Sequence, residues 1–160
     1  MTGSEREKST EMDLSGPARL ALKLGSGAHA GVYRATGGKL FGRVGKSPIL
    51  LLNTVGRKTG RKRTSPLLYV MDGEVFVIIA SKGGAPTHPA WYLNLKANPD
   101  ATVEVGDRKV RVRAEEVDSE EKVRLRQKMV EMYPTYDDYQ RKTKREIPLL
   151  ILRPAEGGAS

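Results

Sequence analysis

The stretch Thr54-Val-Gly-Arg-Lys-Thr-Gly-Arg-Lys-Arg-Thr64 restricts the fold more than any other part of the chain. Apolar Ile49-Leu-Leu-Leu52 precedes it and Pro66-Leu-Leu-Tyr-Val70 follows it. Five of the seven residues from Arg57 to Arg63 are cationic, so this segment stays in water while its flanks seek a core. That pattern reads as two strands, Ile49–Val55 and Thr64–Met71, joined by a tight cationic turn. Glycine lets backbone N–H groups face outward at a positive φ. Arginine adds a planar fork matched to carboxylate or phosphate. Such a turn is a receptor for a polyanion.

Charge narrows the polyanion. The chain carries 28 Lys and Arg against 19 Asp and Glu, a net charge of +9, and the turn supplies more than half of it. A focused patch suits a small anionic ligand better than a long duplex. The aromatic content is only 6% and no stacking-platform motif is present, so nucleic acid is not expected as a partner. Three readings of the turn stand: a solvated charge run, a nucleic-acid patch, and a site for a phosphate or oligo-carboxylate tail. In the last, hydroxyls of Thr59, Thr64 and Ser65 supplement the cations.

The absence of cysteine removes disulfide and thiolate chemistry, and His29 and His88 lack ligand spacing, so no metal site is expected. The first residues lack the apolar core of a signal peptide, and no apolar run nears the roughly 20 residues of a membrane span. Cytoplasmic residence is the expectation.

At 160 residues the chain is most simply one domain, with residues 1–12 as a polar leader, 13–154 as the domain and 155–160 as a loose tail. A helix capped by Asp13 gathers Leu14, Ala18, Ala21 and Leu22 on one side, is weakened at Gly25-Ser-Gly27 and ends by Gly37-Gly38. It covers a barrel mouth or, as an alternative, touches an anionic membrane from the cytoplasmic side. Asp72-Gly73 signals a hairpin leading into Val75–Ala80, and Gly106-Asp107 turns a second one. Short helices are expected at Pro89–Ala97, from Asp118 or Ser119 to Met132, and after Pro134. Ile147–Leu152, with Pro148 inside, reads as an edge strand. These elements make an α+β domain on a mainly antiparallel barrel with peripheral helices.

Three further constellations carry chemistry. Ser81-Lys-Gly-Gly84 ends an apolar strand, where small residues admit a planar ring and Ser81 or Lys82 can bond its oxygens. Trp91, Asn94 and Leu95 share a helical face; Trp91 is a core residue, or else Trp91 or Tyr92 walls a cofactor slot. His88 packs or caps. Tyr133, Tyr136 and Tyr139 recur every three residues in a polar segment and read as a partly exposed aromatic wall. With a free pKa of about 10, a tyrosine there donates a proton at neutral pH.

In order, Thr36-Gly-Gly-Lys-Leu40, Gly56-Arg-Lys-Thr-Gly60, Ala80-Ser-Lys-Gly-Gly84, Pro89-Ala-Trp-Tyr-Leu-Asn94 continuing to Asn98-Pro99, Met132-Tyr-Pro-Thr-Tyr-Asp-Asp-Tyr139 and Ile147-Pro148 form a specific series. The series resembles the deazaflavin-dependent nitroreductase family, oxidoreductases that use coenzyme F420, an 8-hydroxy-5-deazaflavin with a phosphate and a polyglutamate tail. Similarity runs from about residue 30 to 153. The resemblance implies a split β-barrel related to the FMN-binding, pyridoxine-phosphate-oxidase-like group. It implies hydride transfer to a small-molecule acceptor such as a quinone, conjugated enone or nitro compound. It also implies that Arg57, Lys58, Thr59, Arg63 and Ser65 hold the phosphate and tail. Ser81, Lys82 and Gly83 would contact the deazaflavin and its linker, and Trp91, Tyr92 and Asn94 would lie along the ring or ribityl chain. Tyr133, Tyr136 and Tyr139 would line the substrate side, with Tyr136 as proton donor. FMN use or fatty-acid reduction on the same fold, or a non-catalytic basic binding protein, are the alternatives. A homodimer through exposed strands is expected beside a monomer.

Overall fold

The structure, a computed structural model, describes residues 26–38, 42–44 and 47–159. Helix α1 (Ser26–Ala35) leads into strands β1 (Arg43–Val44), β2 (Ser47–Val55), β3 (Lys62–Leu68), β4 (Val70–Asp72) and β5 (Val75–Ile79). A 3-10 turn at Lys82–Gly84 and helix α2 (Ala90–Ala97) follow, then β6 (Asp100–Val105) and β7 (Arg108–Val117). Helices α3 (Ser119–Met132) and α4 (Thr135–Lys142) precede β8 (Leu149–Ala159). All pairings are antiparallel, in the order β1-β2-β6-β7-β8-β5-β4, with β3 on β2.

One connection forces the sheet to curl. β3 pairs with β2 and β4 pairs with β5, at opposite ends of the ladder, yet Tyr69 alone separates the two strands. The Tyr69 N–H donates to the Pro48 carbonyl at 3.3 Å, and its ring meets Phe76 edge-on at 5.7 Å. The chain therefore crosses from one end of the sheet to the other in a single residue, making a split barrel. The sequence reads these residues as one strand because nothing in their composition marks the crossing. Pro66 sits in β3, whose one partner strand is β2, where a missing N–H costs little.

Both faces of the sheet are covered, which explains the unbroken apolar runs. Leu50, Leu52, Phe76, Ile78, Val103, Val112, Leu150 and Leu152 fill the barrel with Trp91, Tyr92 and Leu95 of α2. Val77, Leu149 and Ile151 point outward beneath Leu125 and Met129 of α3 and Tyr136 and Tyr139 of α4. Leu51 packs under Ala30 and Tyr33 of α1. Each fully buried Leu or Ile contributes on the order of 2 kcal/mol.

Two expectations change. The described part of helix α1 starts at Ser26, within the Gly25-Ser-Gly27 segment read as a weak point; the expected upstream half, with its membrane-contact reading, lies outside the described residues. β8 is not an edge strand: it starts after Pro148 and lies between β5 and β7. Pro148 stands just outside the ladder, and its carbonyl accepts from Ala80 N–H at 2.9 Å. β8 also runs to Ala159, which pairs with Val110, through the stretch read as a tail. The two hairpin turns are Gly73-Glu74 and Gly106-Asp107, with Gly73 and Gly106 at φ of 61°. Among the described residues no helix is long and apolar enough to cross a membrane.

Candidate functional site: a cationic groove and a strained loop

The cationic turn spans Gly56 to Arg61, since Val55 pairs with Lys62. Its backbone closes on itself: Gly60 N–H donates to Gly56 O, and Gly56 N–H to Arg61 O, both at 2.8 Å. Gly60 takes φ of 70°, and a Cβ on Gly56 would lie 2.9 Å from Thr59 Oγ1. Residues 57–63 are all exposed, so the charges face water. Among the described residues none of the five turn cations forms a salt bridge, although the molecule makes ten elsewhere. Four of them, Arg57, Lys58, Lys62 and Arg63, line a groove of about 790 Å³ together with Thr59 and Ser65, with Trp91 and Asn94 of α2 also in its wall. The structure thus brings together seven residues selected from the sequence. A second groove, about 740 Å³, lies between β2, β6 and β7 and contains none of the selected residues.

Asn94 locks the turn to α2. It is only 4% exposed; its Oδ1 accepts from the Arg57 backbone N–H at 3.1 Å and Arg57 Nη1 at 3.3 Å, and its Nδ2 donates to Thr54 Oγ1 at 3.2 Å. Its amide is engaged with protein, so its part is to hold Arg57 in place. Trp91 joins the barrel core while reaching the groove wall. Tyr92 is buried in the core, and its hydroxyl donates to Glu116 at 2.9 Å. Burial, then that hydrogen bond, pushes its pKa up to about 12. Tyr92 is therefore anchored to β7 and does not line the groove. Thr64 Oγ1 donates to Asn53 Oδ1 at 2.6 Å, so that hydroxyl is committed to the structure.

The Ser81–Gly84 loop has the shape of an oxygen receptor. Ser81 is right-handed (φ −79°), then Lys82, Gly83 and Gly84 take φ of 46°, 64° and 81°. Alternation of hand in this way turns successive N–H groups toward one point. Among the described residues, the N–H groups of Ser81, Lys82 and Gly83 have no acceptor, and the buried Ser81 hydroxyl has no partner. Buried polar groups are ordinarily paired, so an unpaired set on one loop fits a ligand that brings acceptor oxygens. Lys82 Nζ reaches Thr87 Oγ1 at 3.1 Å.

The tyrosines cluster as T-shaped and tilted pairs: Tyr133–Tyr136 at 5.1 Å, Tyr136–Tyr139 at 6.0 Å and Tyr133–Tyr139 at 6.4 Å. They are more buried than the partly exposed wall expected from their polar neighbours. Tyr136 and Tyr139 are each 7% exposed, under α3 and against the outer sheet face, while Tyr133 is half-buried. The acidic residues between them turn outward to pair with arginines, Asp138 with Arg141 at 2.7 Å and Asp137 with Arg126 at 2.6 Å. Burial raises the pKa of Tyr136 and Tyr139 above the ordinary 10, so both phenols keep their protons. Helix α4 reaches the loop directly: a Cβ on Gly84 would come within 2.7 Å of the Tyr139 carbonyl.

Two groups escaped sequence reasoning. Arg145 donates to the Ala80, Ser81 and Ala85 carbonyls and meets His88 Nδ1 at 3.1 Å. His88 also leans on the Tyr92 ring at 4.7 Å, and burial together with Arg145 lowers its pKa, in keeping with a packing role. Buried Glu104 accepts from Arg34 at 2.7 Å and Asn53 at 2.9 Å, tying α1 to the base of the β2–β3 hairpin. The partners of both are far away in sequence, so local pattern carries no sign of them.

Residues 26–154 match the model of the F420H(2)-dependent quinone reductase family. An F420H(2)-dependent quinone reductase of Mycobacterium tuberculosis is 43% identical over 128 residues, covering 78% of this chain and 86% of that protein. A second from the same species, a putative one, is 40% identical over 67% of this chain and 90% of its own length. The solved F420-H2 dependent reductase FDR-A is 44% identical, with a TM-score of 0.62 over 66% of this chain and 94% of its own. A structure described as a domain-swapped dimer is 38% identical, with a TM-score of 0.65 over 79% and 95%. The HutZ protein of Vibrio cholerae, 21% identical with a TM-score of 0.57, shares the split-barrel fold alone. The fold, the ordered motifs and these matches agree: the chain belongs to the F420H(2)-dependent quinone reductase family.

Proposed function

We propose that this chain holds reduced coenzyme F420 with its acidic tail in the cationic groove and passes hydride to a quinone or a related electrophile, a conjugated enone or nitro compound. The observation that supports the reading is the set of four cations, Arg57, Lys58, Lys62 and Arg63, around one groove, none of them salt-bridged to a carboxylate among the described residues. Arg57, Lys58 and Arg63, with the hydroxyls of Thr59 and Ser65, are the residues that would hold phosphate and carboxylates. The unpaired Ser81 hydroxyl and the N–H groups of Ser81, Lys82 and Gly83 would receive oxygens of the ring or linker. Trp91 would give the groove an apolar wall. When bound, the deazaflavin supplies a hydride from a ring carbon. The protein binds, orients and keeps water from the reacting pair, and proximity accounts for most of the acceleration. Reduction of a quinone oxygen also needs a proton, and Tyr136 Oη holds one and has no hydrogen-bond partner among the described residues.

The direct test titrates coenzyme F420 by ring fluorescence into the wild type and into a combined Arg57→Ser, Lys58→Ser, Arg63→Ser variant. Loss of uptake in the variant is expected. Undiminished uptake, or tight FMN binding without F420 binding, refutes the assignment. We also propose that two copies associate. The support is the domain-swapped dimer seen in a structure 38% identical to this chain, and light scattering showing a monomer at micromolar concentration would reject it.

A further inference from the structure

The proposed reaction leaves the arrangement of Arg145 unexplained. All five of its N–H donors find acceptors: Nε the Ala85 carbonyl at 2.9 Å, Nη1 the Ala80 carbonyl at 3.2 Å and His88 Nδ1 at 3.1 Å, Nη2 the Ala80 carbonyl at 3.2 Å and the Ser81 carbonyl at 2.8 Å. None of those acceptors is charged, and among the described residues no carboxylate pairs with this guanidinium. A half-buried cation that spends every donor on one loop, without a counter-ion, costs more to desolvate than a purely structural clamp requires.

The peptide geometry supplies a reason. The Ala80 carbonyl shares its peptide with the Ser81 N–H, and the Ser81 carbonyl shares its peptide with the Lys82 N–H. A cation donating to a carbonyl polarises the whole peptide and strengthens its N–H as a donor. Those two N–H groups are among the unpaired donors that the hand of Ser81, Lys82 and Gly83 gathers together. We propose that Arg145 is a positioning residue: from behind the loop it fixes and polarises the Ser81 and Lys82 peptides so that they receive an anionic oxygen of the cofactor. The positive charge it leaves uncompensated is balanced when that oxygen arrives. The Gly84 contact with the Tyr139 carbonyl holds the loop from its other side, so Arg145 and α4 together set its position.

This inference rests on the reading that Ser81–Gly83 contacts coenzyme F420, and the experiment separates the two. Fluorescence titration with F420 is run on the wild type, Arg145→Lys and Arg145→Ala, each with and without millimolar guanidinium chloride at constant ionic strength. Removing a charge-assisted donor set should weaken F420 binding by about tenfold or more in Arg145→Ala. Arg145→Lys, which keeps the charge but not the fork, should fall between. Guanidinium, and not sodium chloride, should restore affinity to Arg145→Ala, a recovery that lost scaffolding alone does not give. At turnover the KM for reduced F420 should rise more than kcat falls. An Arg145→Ala affinity within about twofold of wild type, an equal loss in both variants, or no rescue by guanidinium overturns the inference while leaving the function standing. If Arg145→Ala does not fold, the lysine variant decides by the same affinity comparison. Failure of the wild type itself to bind F420 overturns both.

Discussion

Asn94 separates the cofactor's needs from the fold's in a single side chain. Replaced by leucine, it loses three hydrogen bonds, to the Arg57 N–H, Arg57 Nη1 and Thr54 Oγ1. At about 1 kcal/mol each, the cost is roughly 3 kcal/mol of stability, with the turn released from α2 as well. Asn94→Asp behaves differently. The acceptor on Arg57 remains, and Thr54 can reverse its hydroxyl to donate. A carboxylate oxygen 3.3 Å from the guanidinium gains between about 1 and 5 kcal/mol of gross attraction, depending on the effective dielectric. Arg57 is exposed, so the lower end applies, and burial of the carboxylate at a site 4% exposed offsets much of it. Net stability should move by less than about 1 kcal/mol, a shift of about 2–4 °C at most. For a polyanion the same change cancels one cation of the groove and adds a repulsive charge in its wall. A loss of about 1–2 kcal/mol, or 5- to 30-fold in Kd for F420, is expected. Thermal melting and fluorescence titration of both variants give the answer. Parallel losses of stability and affinity in Asn94→Asp, or unchanged affinity, would refute the argument that Arg57 is held as an unneutralised cation for the ligand.

Tyr136→Phe removes a buried hydroxyl that has no partner, so the protein should be at least as stable as wild type while turnover drops further than F420 affinity; equal kinetic and binding losses would mark the residue as structural. Gly84→Ala puts a Cβ at φ of 81° and 2.7 Å from the Tyr139 carbonyl, which should cost about 2 kcal/mol or more in a denaturant titration; a neutral outcome would show that loop and helix α4 are not in contact. Glu104 and Asp72 have carboxyls held below their ordinary range by Arg34 and Arg124 respectively, Asp72 from 3.8 to about 2. Groups depressed on folding stabilise above their unfolded pKa and lose that contribution as pH falls through the folded one. The melting difference between wild type and Glu104→Gln or Asp72→Asn should therefore be full at neutral pH. It should shrink as pH drops from the ordinary carboxylate range toward about 2 for Asp72, and a constant difference would contradict the pairing.

The hairpins and short helices were legible because each is written locally: glycine at a positive φ where β4 turns into β5, proline before α2, alternating Val residues in β7. The cationic turn was legible because charge density forbids burial. Tertiary facts were not. Tyr69 looks like any strand residue, and its role in closing the barrel follows from which strands pair on either side. Pro148 suggested an edge because the rule concerns residues inside a ladder, and it lies one residue outside. The tyrosines were placed outward on the polarity of their neighbours, whereas helix α4 sends Tyr136 and Tyr139 down and those neighbours up. Family motifs pointed to the groove residues, yet whether Asn94 touches a ligand or holds an arginine is decided by partners that sequence does not reveal.

The position of β8 has a consequence for how the molecule is made. Its two neighbours, β5 and β7, both emerge from the ribosome before it, and each must wait with one row of peptide groups unsatisfied until the strand between them arrives. During that interval the vacant slot is as open to the corresponding segment of a sister molecule as to the chain's own. Crowded synthesis or refolding at high concentration should favour such exchange, and dilution should favour self-completion.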